Sequence, residues 1–336
     1  MRTVRLLESP ANMNQPLATD GTVISIDGPV ISTAALVRQT TLFRDVLGMQ
    51  LTADSSFDAA RTAQLFGLER HTARVLTLQT PGTSIGVQLV EFSPGSDTVI
   101  RPGGVGIASD ALKMIDFFTS DGVAAADAFR RHGFELVTEG APIQLPDGSR
   151  FIEMHVKGPE GVMVAAIHPE NVAARGFVTV TDRLFSEVQS SSGPVSDFEP
   201  VRHFYESVLG IPMGYAYEFE SPAFSSMIGA GRTTTIRANN YGRVVEDVML
   251  GIIHYGLPRD SYESLRERAR PPHLGVIGVR LSVCNLPALL QRCAAGGCEL
   301  AVPLARVSNA DSSTTSTAVV RGPHGVWHFL REHASR

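Results

Sequence analysis

Two rhythms of apolar positions alternate along the chain, and the switch between them recurs four times. Val201, Phe204, Tyr205, Val208 and Leu209 fall at i, i+3, i+4, i+7 and i+8, which lays one helical face on a core. Asp197 or Ser196 can cap this helix, Pro200 suits its first turn, and Gly210 is placed for a left-handed C-terminal cap. From Met213 to Glu220 the pattern becomes aromatic and strand-like. The same order is legible from Val23 to Phe92, with a helix ending at Gly48 and strands at 23–33, 49–54, 74–79 and 84–92. It returns with a helix over 122–132 between strands at 111–119, 150–157 and 161–167. Around the 200–209 helix lie strands at 184–189, 213–219, 232–238 and 246–255; around a last helix at 286–295 lie strands at 275–283, 315–321 and 326–331.

The landmarks keep register. Gly48 to Gly210 is 162 residues, Gly133 to Gly297 is 164, and Gly158 to Gly322 is 164. Within the halves, Gly48 to Gly133 is 85 and Gly210 to Gly297 is 87. Four units are therefore nested in two halves. The predicted class is α+β: four βαβββ modules paired into two domains with cup-shaped mixed sheets. Residues 1–21 read as an irregular arm. Residues 22–172 form an N-terminal domain (modules 22–95 and 104–170), and residues 173–336 a C-terminal domain (modules 176–258 and 273–333).

Repeated βαβββ units, a helix ending in Phe204-Tyr205 and Leu209-Gly210, and the late turns Gly158-Pro159-Glu160-Gly161 and Gly322-Pro323-His324-Gly325 resemble the vicinal oxygen chelate superfamily. That group covers glyoxalase I, bleomycin-resistance proteins and type I extradiol dioxygenases, and the four-module layout looks most like the last. The resemblance implies a ligand held inside a curled sheet. It also implies metal ligands, a His or Gln early in a module's first strand and a Glu in its last. Here the first slots read Gly28, Met114, Ser186 and Gly278, and the last slots Gln88, Ala165, Gly251 and Phe329. Only Gln88 offers a good ligand, so no metal and no other cofactor is expected.

Strand alternation points Asp116, two residues past Met114, into the same cup; there, among Met114, Phe117 and Phe118, it would be desolvated as a general base requires, whereas a register slip of one would leave it exposed. Glu153 and His155 share a strand face and form either an acid–base pair or a solvent-facing polar stripe. Arg280 is the counterpart of Asp116 in the second half and either suits a substrate oxyanion or is an edge arginine paired at the surface. Gln88, Met114, Phe118, His254, Tyr255, Trp327 and His328 are the expected substrate-binding residues, although lone histidines and aromatics in strands also serve as packing. A metal site from Glu187, His254 and His328 is conceivable, but no spacing demands it.

Composition narrows the classes. The 336 residues carry a net charge of −5 with no basic field, which argues against nucleic acid. The longest apolar run, 248–257, is too short to span a membrane. Three cysteines without a CxxC spacing fit a reduced, cytoplasmic setting. No phosphate loop, GxSxG elbow or HExxH occurs. The expected function is a metal-independent lyase or isomerase acting by proton transfer on a small, apolar, oxygenated (aromatic included) molecule. A homodimer is compatible with this. The alternatives are a non-catalytic small-molecule binding or resistance protein, and a metal-dependent extradiol-type dioxygenase with non-standard ligands.

Overall fold

The computed structural model describes residues 21–104, 106–173, 182–244, 247–308 and 313–333. The expected N-terminal arm therefore lies outside the described residues, apart from Gly21. Module one runs β1 (Val23–Ser32), α1 (Leu36–Thr40) with a π-helical continuation (Thr41–Val46), β2 (Gln50–Phe57), α2 (Ala59–Phe66), β3 (Thr72–Gln79) and β4 (Gly86–Ser93). Module two runs β5 (Met114–Thr119), α3 (Gly122–Arg131), β6 (Glu135–Leu136), β7 (Ala141–Gln144), β8 (Arg150–Lys157) and β9 (Met163–Pro169). Module three runs β10 (Phe185–Pro194), α4 (Glu199–Arg202) with its π-helical continuation (His203–Leu209), β11 (Met213–Glu220), α5 (Pro222–Met227), β12 (Thr235–Tyr241) and β13 (Met249–His254). Module four runs β14 (Gly275–Val283), α6 (Leu286–Ala295), β15 (Glu299–Ser308), β16 (Thr314–Arg321) and β17 (Trp327–Glu332).

The modules pair into two curled mixed sheets, but not in chain order. One sheet, β15-β16-β17-β14-β1-β4-β3-β2, joins modules one and four; the other, β11-β12-β13-β10-β5-β9-β8-β6, joins modules two and three. The division expected at 172/173 is thus not a division between sheets. Both seams are antiparallel first-strand pairs, β1 with β14 and β5 with β10.

Helices of all four modules and one face of each sheet bury a single continuous core that includes Phe43, Phe129, Tyr205, Leu289, Ile115 and Leu281. The Val201–Leu209 stripe enters it as its periodicity requires, and Gly210 caps that helix at φ 71°. At the start the expectation shifts: Phe198 occupies the N-cap, and Asp197 Oδ1 instead accepts from Glu199 N at 3.0 Å. Two short helices went unread in the sequence. Asp58 caps α2, with Gly67 closing it, and Ser221 caps α5.

The other faces of the two sheets differ. In the module one–four sheet, Val30, Val75, Val90, Phe92 and Ile277 meet Phe66 of α2. The Phe66 ring stands edge-on to Phe92 at 5.1 Å and to Phe329 at 5.7 Å, so α2 fills the concavity with side chains. The module two–three cup stays open.

Candidate active site

The open cup holds a cavity of about 600 Å³. Met114, Asp116 and Phe118 reach it from β5, while Ile115 and Phe117 turn to the core, as strand alternation dictates. Phe118 stacks on Phe151 of β8 with centroids 6.5 Å apart. From module three come Tyr217 and Phe219 of β11, Phe224 of α5 and Tyr255 beyond β13. The β3–β4 turn at Gly82–Ile85 reaches the same cavity from the other sheet.

Asp116 sits on the seam, paired in register with Ser190 of β10. The Ser190 hydroxyl donates to Asp116 Oδ2, and Ser192 adds a second side-chain hydrogen bond. Burial, reinforced by the charge of Glu153, raises the Asp116 pKa to about 7 against the pull of both serines and of Lys113. The carboxyl therefore exchanges its proton near neutrality.

Glu153 and His155 on β8 line the same cavity, with His155 Nε2 2.7 Å from Glu153 Oε1. His155 is only 3% exposed, which removes the solvent-stripe alternative. Its desolvation lowers the imidazole pKa despite the carboxylate beside it, so the ring is neutral at pH 7. Burial also holds the Tyr217 and Tyr255 phenols well above their ordinary pKa, keeping them protonated as hydrogen-bond donors.

Lys113, Tyr217, Ser190 and Ser192 were missed in the sequence. Lys113 is 2% exposed, its ammonium has no hydrogen-bond partner among the described residues, and its nitrogen lies 5.6 Å from the Tyr255 ring centroid. Burial, followed by the charge of Arg101, lowers its pKa to about 7. Arg101 is itself buried and bound to Ser109 and to the carbonyls of Gly106, Leu112 and neighbouring residues. A lysine beginning a strand next to an inward aspartate was the available signal.

Several expected residues lie elsewhere. Arg280 is on the module one–four sheet, where it donates to the Asp27 and Gly86 carbonyls at 3.1 and 3.2 Å and ties β1 to β4. Gln88 belongs to that filled sheet and does not line the cavity. Trp327 packs there with Val302 and Val319. His328 points to the opposite, helix-facing core, where the Tyr205 hydroxyl lies 2.9 Å from His324 Nε2 and 3.2 Å from His328 Nε2. One residue of parity separates Trp327 from His328, so the two never shared a face. His254 stands outside the cavity between Phe198 and Tyr262, its Nδ1 accepting from Gly256 N at 3.1 Å.

The residues do not fit a chelated metal. A Cβ at Gly28 would meet the Gly86 carbonyl oxygen at 1.9 Å, and one at Gly278 the Trp327 carbonyl oxygen at 2.0 Å, so backbone occupies both first slots of that sheet. In the open cup the slots hold Met114, Ala165 and Gly251; register places Ser190 and Ser192, not Ser186, on the cavity face. Glu187, His254 and His328 do not converge, and among the described residues no group of three His, Cys, Asp or Glu side chains could hold a metal ion. Among the same residues, no helix is long and apolar enough to cross a membrane.

Solved structures share this architecture. Glyoxalase I of Zea mays superposes with a TM-score of 0.59 at 16% identity, covering 92% of both chains. A candidate dioxygenase of Bacillus subtilis gives 0.56 at 10% identity, over 94% of this chain and 86% of that one. No family model matches, and no curated protein does. The chain has the vicinal oxygen chelate fold, with four modules in two curled sheets.

Proposed function

We propose that the module two–three cup is the active site of an acid–base enzyme, a lyase or isomerase that works without a metal on a small, largely apolar, oxygenated molecule. The observation that carries this reading is Asp116: a carboxyl in an aromatic cavity, steadied by Ser190 and Ser192, with a pKa of about 7. As its carboxylate it takes a proton from carbon next to a carbonyl. The electron pair moves onto the carbonyl oxygen, where a protonated tyrosine, Tyr217 or Tyr255, donates a hydrogen bond. With a β,γ-unsaturated ketone, Asp116, now the acid, returns the proton to the γ-carbon as the electron pair moves back from oxygen and the double bond shifts into conjugation. With a leaving group on the β-carbon, the electron pair instead forms the α,β double bond as that group departs with its bonding electrons. Glu153 and neutral His155 form the adjoining pair through which a second proton moves.

The test needs no natural substrate. The protein is incubated in heavy water with 2-indanone and phenylacetone, and α-deuteration is followed by proton NMR. Exchange above buffer, lost in Asp116→Asn, is expected; exchange unchanged by that substitution overturns the reading. A second reading, a non-catalytic binding protein, is favoured by the predominantly aromatic and aliphatic wall. Saturable binding of a ketone recovered without deuterium would decide for it.

A further inference from the structure

The charge of the cavity wall is one-sided. Among the described residues that line it none is lysine or arginine, whereas five carry carboxyl groups: Asp116, Asp147, Glu153, Glu187 and Asp247. Asp247 is paired with Arg243, and Glu187 lies in the field of Arg183. Asp116 and Glu153 inside and Asp147 near Leu145 and Ser149 have no arginine or lysine ion pair among the described residues, although Asp116 and Glu153 lie in the field of Lys113. Lys113 stands by the Tyr255 ring and does not line the cavity.

A second feature is independent of these acids. Asn240 is 4% exposed, lines the same cavity, and its side-chain Nδ2 donates to nothing among the described residues. A buried amide donor left without a partner is costly, and a ligand oxygen would satisfy it. The aromatic wall adds faces that attract cations, Tyr217 and Phe224 among them.

We infer that the cup takes an alkyl amine that carries an aromatic ring, bound as its ammonium ion against carboxyl groups that no lysine or arginine pairs, with a carbonyl or hydroxyl oxygen for Asn240, and rejects carboxylates and phosphates. The inference deepens the reading above, resting on it only for the place of binding. An anion entering this cavity is stripped of water beside Glu153 and Asp116 and, among the described residues that line it, meets no lysine or arginine. An ammonium ion gains a carboxylate partner and aromatic faces in the same low-dielectric space.

The experiment is calorimetric titration of the full-length protein near neutral pH with three probes on one ring system: 2-aminoindane, 2-indanol and indane-2-carboxylate. The amine should bind roughly tenfold or more tighter than the carboxylate, with the alcohol between them. Glu153→Gln should narrow that gap. Equal or tighter binding of the carboxylate overturns the inference, as does failure of all three to bind at millimolar concentration. The readout is affinity, not turnover. Absent deuterium exchange with the charge order intact would remove the proton-transfer reading and leave this one standing.

Discussion

The hydroxyl of Ser190 donates to the carboxyl of Asp116 across the seam where the first strands of modules two and three pair. The bond joins residues 74 positions apart, so the carboxyl is positioned only once both modules are folded. It also stabilises the ionised form and tempers the effect of burial, leaving a proton that can move near neutral pH.

Replacing Asp116 by Asn should cut α-proton exchange roughly 100- to 10,000-fold, the usual contribution of a positioned general base. Folding should survive, and stability should rise. The folded carboxyl has a pKa of about 7 and the unfolded one about 3.9, so its favourable contribution is complete below about pH 3.9 and is lost as pH rises through 7. The variant should therefore gain on the order of 2 kcal/mol over wild type above pH 7 and nothing near pH 4, read from urea unfolding at the two pH values.

Lys113→Met should move the pH dependence of exchange. Lys113 pulls the Asp116 pKa down, so its removal should shift the acidic limb set by Asp116 to higher pH. A pH–rate profile identical to wild type would show that the ammonium does not act on the carboxyl. The lysine makes no hydrogen bond among the described residues and is buried, so the protein should lose little stability.

The Tyr205–His324–His328 cluster predicts an acid-side weakness. Burial holds both imidazoles below their ordinary pKa, His328 down to about 3. Their contribution is present above about pH 6.5 and is lost as pH falls toward the folded values, because unfolding releases rings that can take protons. Wild-type unfolding midpoints should drop below about pH 6.5, and His328→Leu should flatten the slope. Tyr205→Phe leaves both Nε2 atoms without the shared hydroxyl and should cost about 1–3 kcal/mol at pH 7.

Phe66→Ala should empty the centre of the filled cup and cost about 3 kcal/mol or more in chemical unfolding. Affinity for 2-aminoindane should stay unchanged, since Phe66 does not line the open cavity. A large loss of affinity would place the ligand in the wrong sheet.

The amino-acid sequence alone carried the number of modules, the places of the main helices and the inward aim of Asp116. Each is a local property: a 3.6-residue or two-residue period punctuated by glycine, as at Gly210, or a parity counted from Met114 along one strand. The same counting placed Glu153 and His155 on one face but could not say whether that face met solvent or a cavity, because alternation reads alike on either side of a sheet. Tertiary structure made the remaining decisions. It joined module one to four and module two to three through backbone hydrogen bonds between first strands, a pairing that leaves no periodic trace in the side chains. It closed one cup with Phe66 and left the other open, and it turned His328 away from Trp327 into the helix-facing core. Those outcomes depend on which distant surfaces meet, and residues far apart in the chain settle them only on packing.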